Sequence, residues 1–150
     1  MVFKAKLHDD IVSHGGITLK AERDFGWFGN CGIKIYMKDQ PAFSFYISGW
    51  TNRISKVENN LDFPFELINS NEAVSGDDRF RLNINRSYLF TGNYGELEVN
   101  GHTVAKLRLK QRLFGIELTM QPANDQLNDE TKLKSAILIL ANIVHLDGSI

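Results

Sequence analysis

The sequence predicts a mainly β protein: an antiparallel β-barrel of about ten strands enclosing a hydrophobic C-terminal α-helix. Three observations carry this reading. Short runs of alternating apolar and polar residues recur between turn-forming residues along most of the chain. Their close, regular spacing is that of a sandwich or barrel. The last element breaks the pattern: in "KLKSAILILANIVHLDG" (132–148) only Asn142 and His145 interrupt the apolar residues between Ala136 and Leu146.

The strands fall at about 2–120. "IKIYM" (33–37) is rich in β-formers and follows Gly29, Asn30 and Gly32. "AFSFYISGW" (42–50) alternates, with Phe43, Phe45 and Ile47 on one face and Ser44, Tyr46 and Ser48 on the other. "FELI" (65–68) follows. The polar stretch "NSNEAVSGDD" (69–78) reads as a loop. "RFRLNINR" (79–86) sets Phe80, Leu82 and Ile84 opposite Arg79, Arg81, Asn83 and Asn85. "SYLF", "GELEV", "HTVAKLRLKQRL" and "GIELTM" complete the set. Pro41, Pro64 and Pro122 fall at strand margins or loops, where a missing N–H is tolerated.

The hairpin "GELEVNGHTVAK" fixes a register. A two-residue Asn100-Gly101 loop pairs Glu98 with Thr103 and sets the glutamates on the face of Leu107 and Leu109. A three-residue loop, 99–101 with Gly101 left-handed, returns Glu96 and Glu98 to the outer face beside Lys106 and Arg108. That is the arrangement expected here.

The helix is expected over about 129–146. Asn128 or Asp129 can cap it, and Asp129 and Glu130 suit the positive end of its dipole. Lys132 and Lys134 are expected to keep its first turns wet. Beyond Ser135 it has no polar face, and a helix apolar all round is buried on every side or lies in lipid. About eleven such residues rise only about 16 Å, roughly half the hydrocarbon core of a bilayer. Burial inside the chain's own strands is favoured over a membrane anchor or a partner's groove.

The 150 residues, 43% hydrophobic and 23% charged, fit one globular domain spanning 1–150. The net charge of −1 supplies no global attraction to nucleic acid, which is not expected as a partner. The single Cys31 allows no internal disulfide and suits a reducing compartment. "MVFKAKLHDD" lacks the apolar core of a secretory signal, and no segment reaches the 18 or so apolar residues of a spanning helix. The expected location is cytoplasmic or peripheral at a membrane.

A strand shell followed by a terminal hydrophobic helix resembles the tubby C-terminal-like group, which includes tubby-like, LURP-one-related and phospholipid-scramblase-like domains. The similar part runs over about 88–148. "GELEVNGHTVAKLRLKQRLFGIELTM" is similar to that group's glycine-turned hairpin and the strand after it, and "LKSAILILANIVHLDG" to its core helix with an acidic end, here Asp147. The resemblance implies a barrel threaded by its last helix. It also implies, as in several members, binding of phosphoinositides or other membrane lipids, and no secure catalytic activity.

The candidate site residues are cations. Lys106, Arg108, Lys110 and Arg112 recur every second residue, so one strand face carries four charges, and Arg79 and Arg81 form a similar pair on another strand. If those strands are neighbours, six cations share one surface suited to phosphate groups. The opposing reading is a solvated, cross-paired face neutralised by Glu96 and Glu98. Lys110 and Arg112, beyond the reach of those glutamates, are the better ligand contacts. Phe25, Trp27 and Phe28 among glycines, joined by Trp50, offer an interfacial aromatic patch or a packed corner.

His8, Asp9, Asp10 and His14 are metal-ligand types at a spacing that matches no established site. Cys31 has no basic partner in sequence to depress its pKa, as a nucleophile requires. No nucleophile elbow, phosphate loop, dinucleotide fingerprint or zincin motif is present. The function expected is a non-catalytic binding domain, without cofactor or metal, that recognises an anionic phospholipid headgroup. A protein-interaction or oligomerisation module, or a barrel enclosing a small apolar ligand, stands beside it. Oligomeric state is left open.

Overall fold

A computed structural model describes residues 2–6, 10–14, 17–26, 30–51, 53–85, 91–112, 115–123 and 127–148. The chain is mainly β, and one helix follows the strands. Among the described residues there are twelve strands: β1 (Val2–Lys6), β2 (Asp10–His14), β3 (Ile17–Phe25), β4 (Cys31–Met37), β5 (Gln40–Ile47) and β6 (Ile54–Asn59), then β7 (Glu66–Asn69), β8 (Glu72–Ser75), β9 (Asp78–Ile84), β10 (Asn93–Val99), β11 (His102–Arg112) and β12 (Gly115–Pro122). The helix runs Asp129–Gly148.

Hydrogen-bond ladders order the strands β6-β5-β4-β3-β2-β1-β12-β11-β10-β9-β8-β7, all neighbours antiparallel. Two six-strand meanders, β1–β6 and β7–β12, therefore join where the first strand meets the last, Phe3 opposite Leu118 and Ala5 opposite Ile116. Among the described residues there are twelve strands where about ten are expected, and no hydrogen-bonded ladder joins β6 to β7, the two ends of the order. The additional short strand β8 lies inside 69–78, which the sequence reads as loop. Its inward residues are Ala73 and Ser75, too small to give a hydrophobic signal, and the helix passes close by.

The edges β6 and β7 still approach each other, because only 60–65 separates them in the chain. Backbone and side-chain contacts fasten this link. Asn60 donates its backbone N–H to the carbonyl of Ala42 (2.9 Å), and Phe65 packs edge-on against Phe43 with ring centroids 5.4 Å apart. The Ser75 hydroxyl donates to the carbonyl of Pro64. Both edge strands are bulged, β6 against β5 and β7 against β8, which roughens them against pairing with other chains.

One core unites both meanders with the helix. Every residue from Ser135 to Asn142 is buried, more than two full turns, so the helix is covered on all sides there by strands that include β4, β8 and β9. Each large side chain buried this way contributes roughly 1.5–3 kcal/mol relative to exposure. Asn128 is the cap: its Oδ1 accepts the N–H of Thr131 (2.7 Å). Lys134, expected to be wet, is instead buried. Its ammonium lies 5.0 Å from the centre of the Phe63 ring and 3.1 Å from Glu130, so the link 60–65 covers the helix start and the cation is balanced beneath it.

Asn142, buried at the end of the apolar run 136–141, is a tie. Asn142 accepts from the Tyr94 hydroxyl and donates to Asn71 Oδ1 and to the carbonyl of Ser70 (3.1 Å). Tyr94 reaches it because β10 bulges there, two residues opposing one between Asn93 and Gly95. Only glycine fits the next position. Gly95 has φ 154°, and a Cβ on it would meet the Asn83 carbonyl oxygen at 2.1 Å.

Candidate functional site

The outer face of β11 carries the cations as the alternation requires. Lys106 and Arg108 are exposed, whereas Ala105 and Leu107 are fully buried. The hairpin reaches this arrangement by a different route from the expected one. The loop has two residues, Asn100 (φ 53°) and Gly101 (φ 82°), so Val99 pairs with His102 and Glu98 with Thr103. A bulge then admits Val104 as an extra residue, and the register resumes with Leu97 opposite Ala105 and Glu96 opposite Lys106. The bulge does what a three-residue loop does in the sequence reading: it returns the glutamates to the cationic face.

Arg79 and Arg81 do not share that surface directly. They stand on β9, and β10 lies between β9 and β11 with Glu96 and Glu98 on it. Arg79 pairs with Glu72 at 2.7 Å. Arg81 stands in register between Glu72 on β8 and Glu98 on β10. Both arginines thus have carboxylates beside them.

Charge is less balanced at the other end of β11. Arg108 is flanked in register by Asn93 and Thr119, both neutral. Lys110 stands opposite Glu117, and across β12 Glu117 stands opposite Lys4. Arg112 stands opposite Gly115, and Gly115 opposite Lys6. Backbone register alone therefore sets Lys4, Lys6, Lys110 and Arg112 in two adjacent rows with one carboxylate, Glu117, among them. Partners across a ladder occupy the same sheet face, which is the face of Arg108 by alternation. Lys4 and Lys6 are missing from the sequence-based candidates. Their alternation in "FKAK" is visible, but nothing local in the sequence says that β1 lies beside β12.

Of the aromatic candidates, Trp27 and Phe28 lie outside the described residues. Phe25 ends β3 opposite Cys31, placed by backbone only. Trp50 is 79% exposed in the turn after β5. That turn is fixed to the one after β3: the N–H of Gly49 donates to Asn30 Oδ1 (3.0 Å). The two turns are thereby neighbours at one end of the sheet.

Cys31 is buried, its thiol 3.6 Å from the Gly32 carbonyl. His8 and Asp9 lie outside the described residues, and Asp10 and His14 are placed by backbone only. Among the described residues no helix is long and apolar enough to cross a membrane. Residues 135–142 of the helix are buried in the common core with strands of both meanders. No protein-family model, characterised protein or solved structure matches this chain.

Proposed function

We propose that this chain is a non-catalytic binding domain that recognises anionic phospholipid headgroups at a membrane surface, its twelve strands working as a barrel about the helix. The observation that carries the reading is the register cluster of Lys4, Lys6, Lys110 and Arg112 around the single carboxylate of Glu117, continued by Arg108 with neutral neighbours. Like charges that alternate along one strand face repel. Phosphate oxygens relieve that repulsion and accept charge-assisted hydrogen bonds, and each cation near an anionic leaflet is worth about 1 kcal/mol. The resemblance to the tubby C-terminal-like group points the same way. Arg79 and Arg81, with Glu72 and Glu98 beside them, are secondary contacts in this reading, and Lys106, opposite Glu96, is intermediate.

Sedimentation with vesicles tests the reading. Binding is expected to rise with the anionic lipid fraction and to fall with salt. Lys110→Glu with Arg112→Glu is expected to abolish it, while Arg81→Gln leaves most of it. Binding that ignores anionic lipid content, or that survives the double charge reversal, sinks the proposal.

A second reading is favoured by the Asn30–Gly49 hydrogen bond, which brings the turn bearing Trp50 beside Asn30 at the start of β4. In that reading the aromatic end is a protein-interaction surface. Light scattering at high concentration tests self-association through it: loss of a dimer in Trp50→Ser supports it, and a strict monomer removes it.

A further inference from the structure

A groove of 280 Å³ opens on the outer face of β3–β6, across β2 from the basic rows. Its floor is Gly32. In register, Asp24, Gly32 and Tyr46 form one row, and Glu22, Lys34 and Ser44 the next. The missing side chain at Gly32 leaves the gap, and the Tyr46 ring forms one wall. A Cβ at Gly32 would stand 3.8 Å from Tyr46 Cδ2 and 3.9 Å from Asp24 Cβ. Lys56 holds its ammonium 5.2 Å from the centre of that ring. It comes from a β6 bulge where its own backbone is left-handed (φ 50°).

On the groove's outer face carboxylates stand on β3, at Glu22 and Asp24, and ammonium groups on β4 and β6, at Lys34 and Lys56; Arg23, also in the lining, lies opposite Ile33 on the other face by alternation. Glu22 and Lys34 are directly opposite in register, a position in which opposite charges usually pair. Among the described residues neither they nor Asp24 form an ion pair within 4.0 Å. The volume is just below that of drug-sized pockets, which suits a ligand of a few carbons. We infer that the groove binds a small zwitterion. Its ammonium sits between Glu22 and Asp24, its carboxylate or phosphate faces Lys34 and Lys56, and its carbon chain crosses Gly32 against the Tyr46 ring. This site is independent of the basic rows on β1, β11 and β12.

The test is a titration of the full chain followed by amide chemical shifts. The probes are 4-aminobutyrate, O-phosphoethanolamine, butylammonium chloride and sodium butyrate. Saturable shifts at the amides of Gly32, Ser44 and Tyr46 are expected with a zwitterion, and about tenfold weaker binding with either singly charged ion. The two zwitterions separate a carboxylate preference from a phosphate preference. Gly32→Val, at a position where a Cβ meets only ordinary contacts, fills the floor and is expected to weaken binding about tenfold. Asp24→Asn, on an exposed strand face, is expected to do the same with unchanged melting, while Lys110→Glu leaves binding as it is. The inference is overturned by the absence of saturable shifts with both zwitterions, by equal binding of the singly charged ions, or by an Asp24→Asn variant that binds as tightly as the unaltered chain.

Discussion

The middle of the C-terminal helix and the outer face of β11 are built from the same kind of repetition and obey opposite rules. From Ala136 to Ala141 every side chain is apolar and at most 2% exposed. The polar residue next in line, Asn142, has its amide engaged at both ends. On β11 Lys106 and Arg108 stand in water, and the cations of the strand differ in what lies opposite in register: Glu96 for Lys106, neutral residues for Arg108, Glu117 for Lys110. Inside, a change of one group is felt by all its neighbours, because interiors are close-packed. Outside, solvent screens each charge, and single exposed ion pairs contribute little to stability.

Substitutions graded by depth sharpen this contrast. Truncation before Lys132 removes the helix from the common core and is expected to abolish folding. A truncated chain that stays soluble and melts cooperatively in a calorimeter would break the contrast outright. Phe65→Ala, at the link between β6 and β7, is expected to lower stability by roughly 3–5 kcal/mol in denaturant unfolding, because a buried aromatic ring leaves a cavity against Phe43. Tyr94→Phe keeps the ring but removes the proton given to Asn142, leaving a buried acceptor unmet. About 1–3 kcal/mol is expected, and a loss below measurement would show that the tie is dispensable. Arg81→Gln lies at the shallow end, with a change within about 0.5 kcal/mol by the same measurement.

What could be read from the sequence follows the same division. The helix was legible because a run without any polar face admits few fates, and the strands because alternation is local. β8 was not, since Ala73 and Ser75 are small for reasons that lie in the helix beside them. Lys134 was misjudged because its cover, Phe63, arrives from 71 residues earlier in the chain. The candidate site was half legible. Lys110 and Arg112 announce themselves by spacing, whereas Lys4, Lys6 and Glu117 belong to the site only through the β1–β12 pairing. The turn chemistry of Asn100-Gly101 was also readable, but the bulge at Val104 that corrects its register was not, because a bulge leaves no residue signature of its own.

The pairing of β1 with β12 has a consequence for how the protein is made. Lys6 and Gly115 are about a hundred residues apart in the chain, which at ribosomal speed is roughly ten seconds of synthesis. Through that interval the first meander has emerged with Ile33, Ile35, Phe43 and Phe45 facing a place the helix does not yet occupy, and with one edge of β1 unclaimed. Those side chains and that edge of β1 are covered only once β12 and the helix have been made.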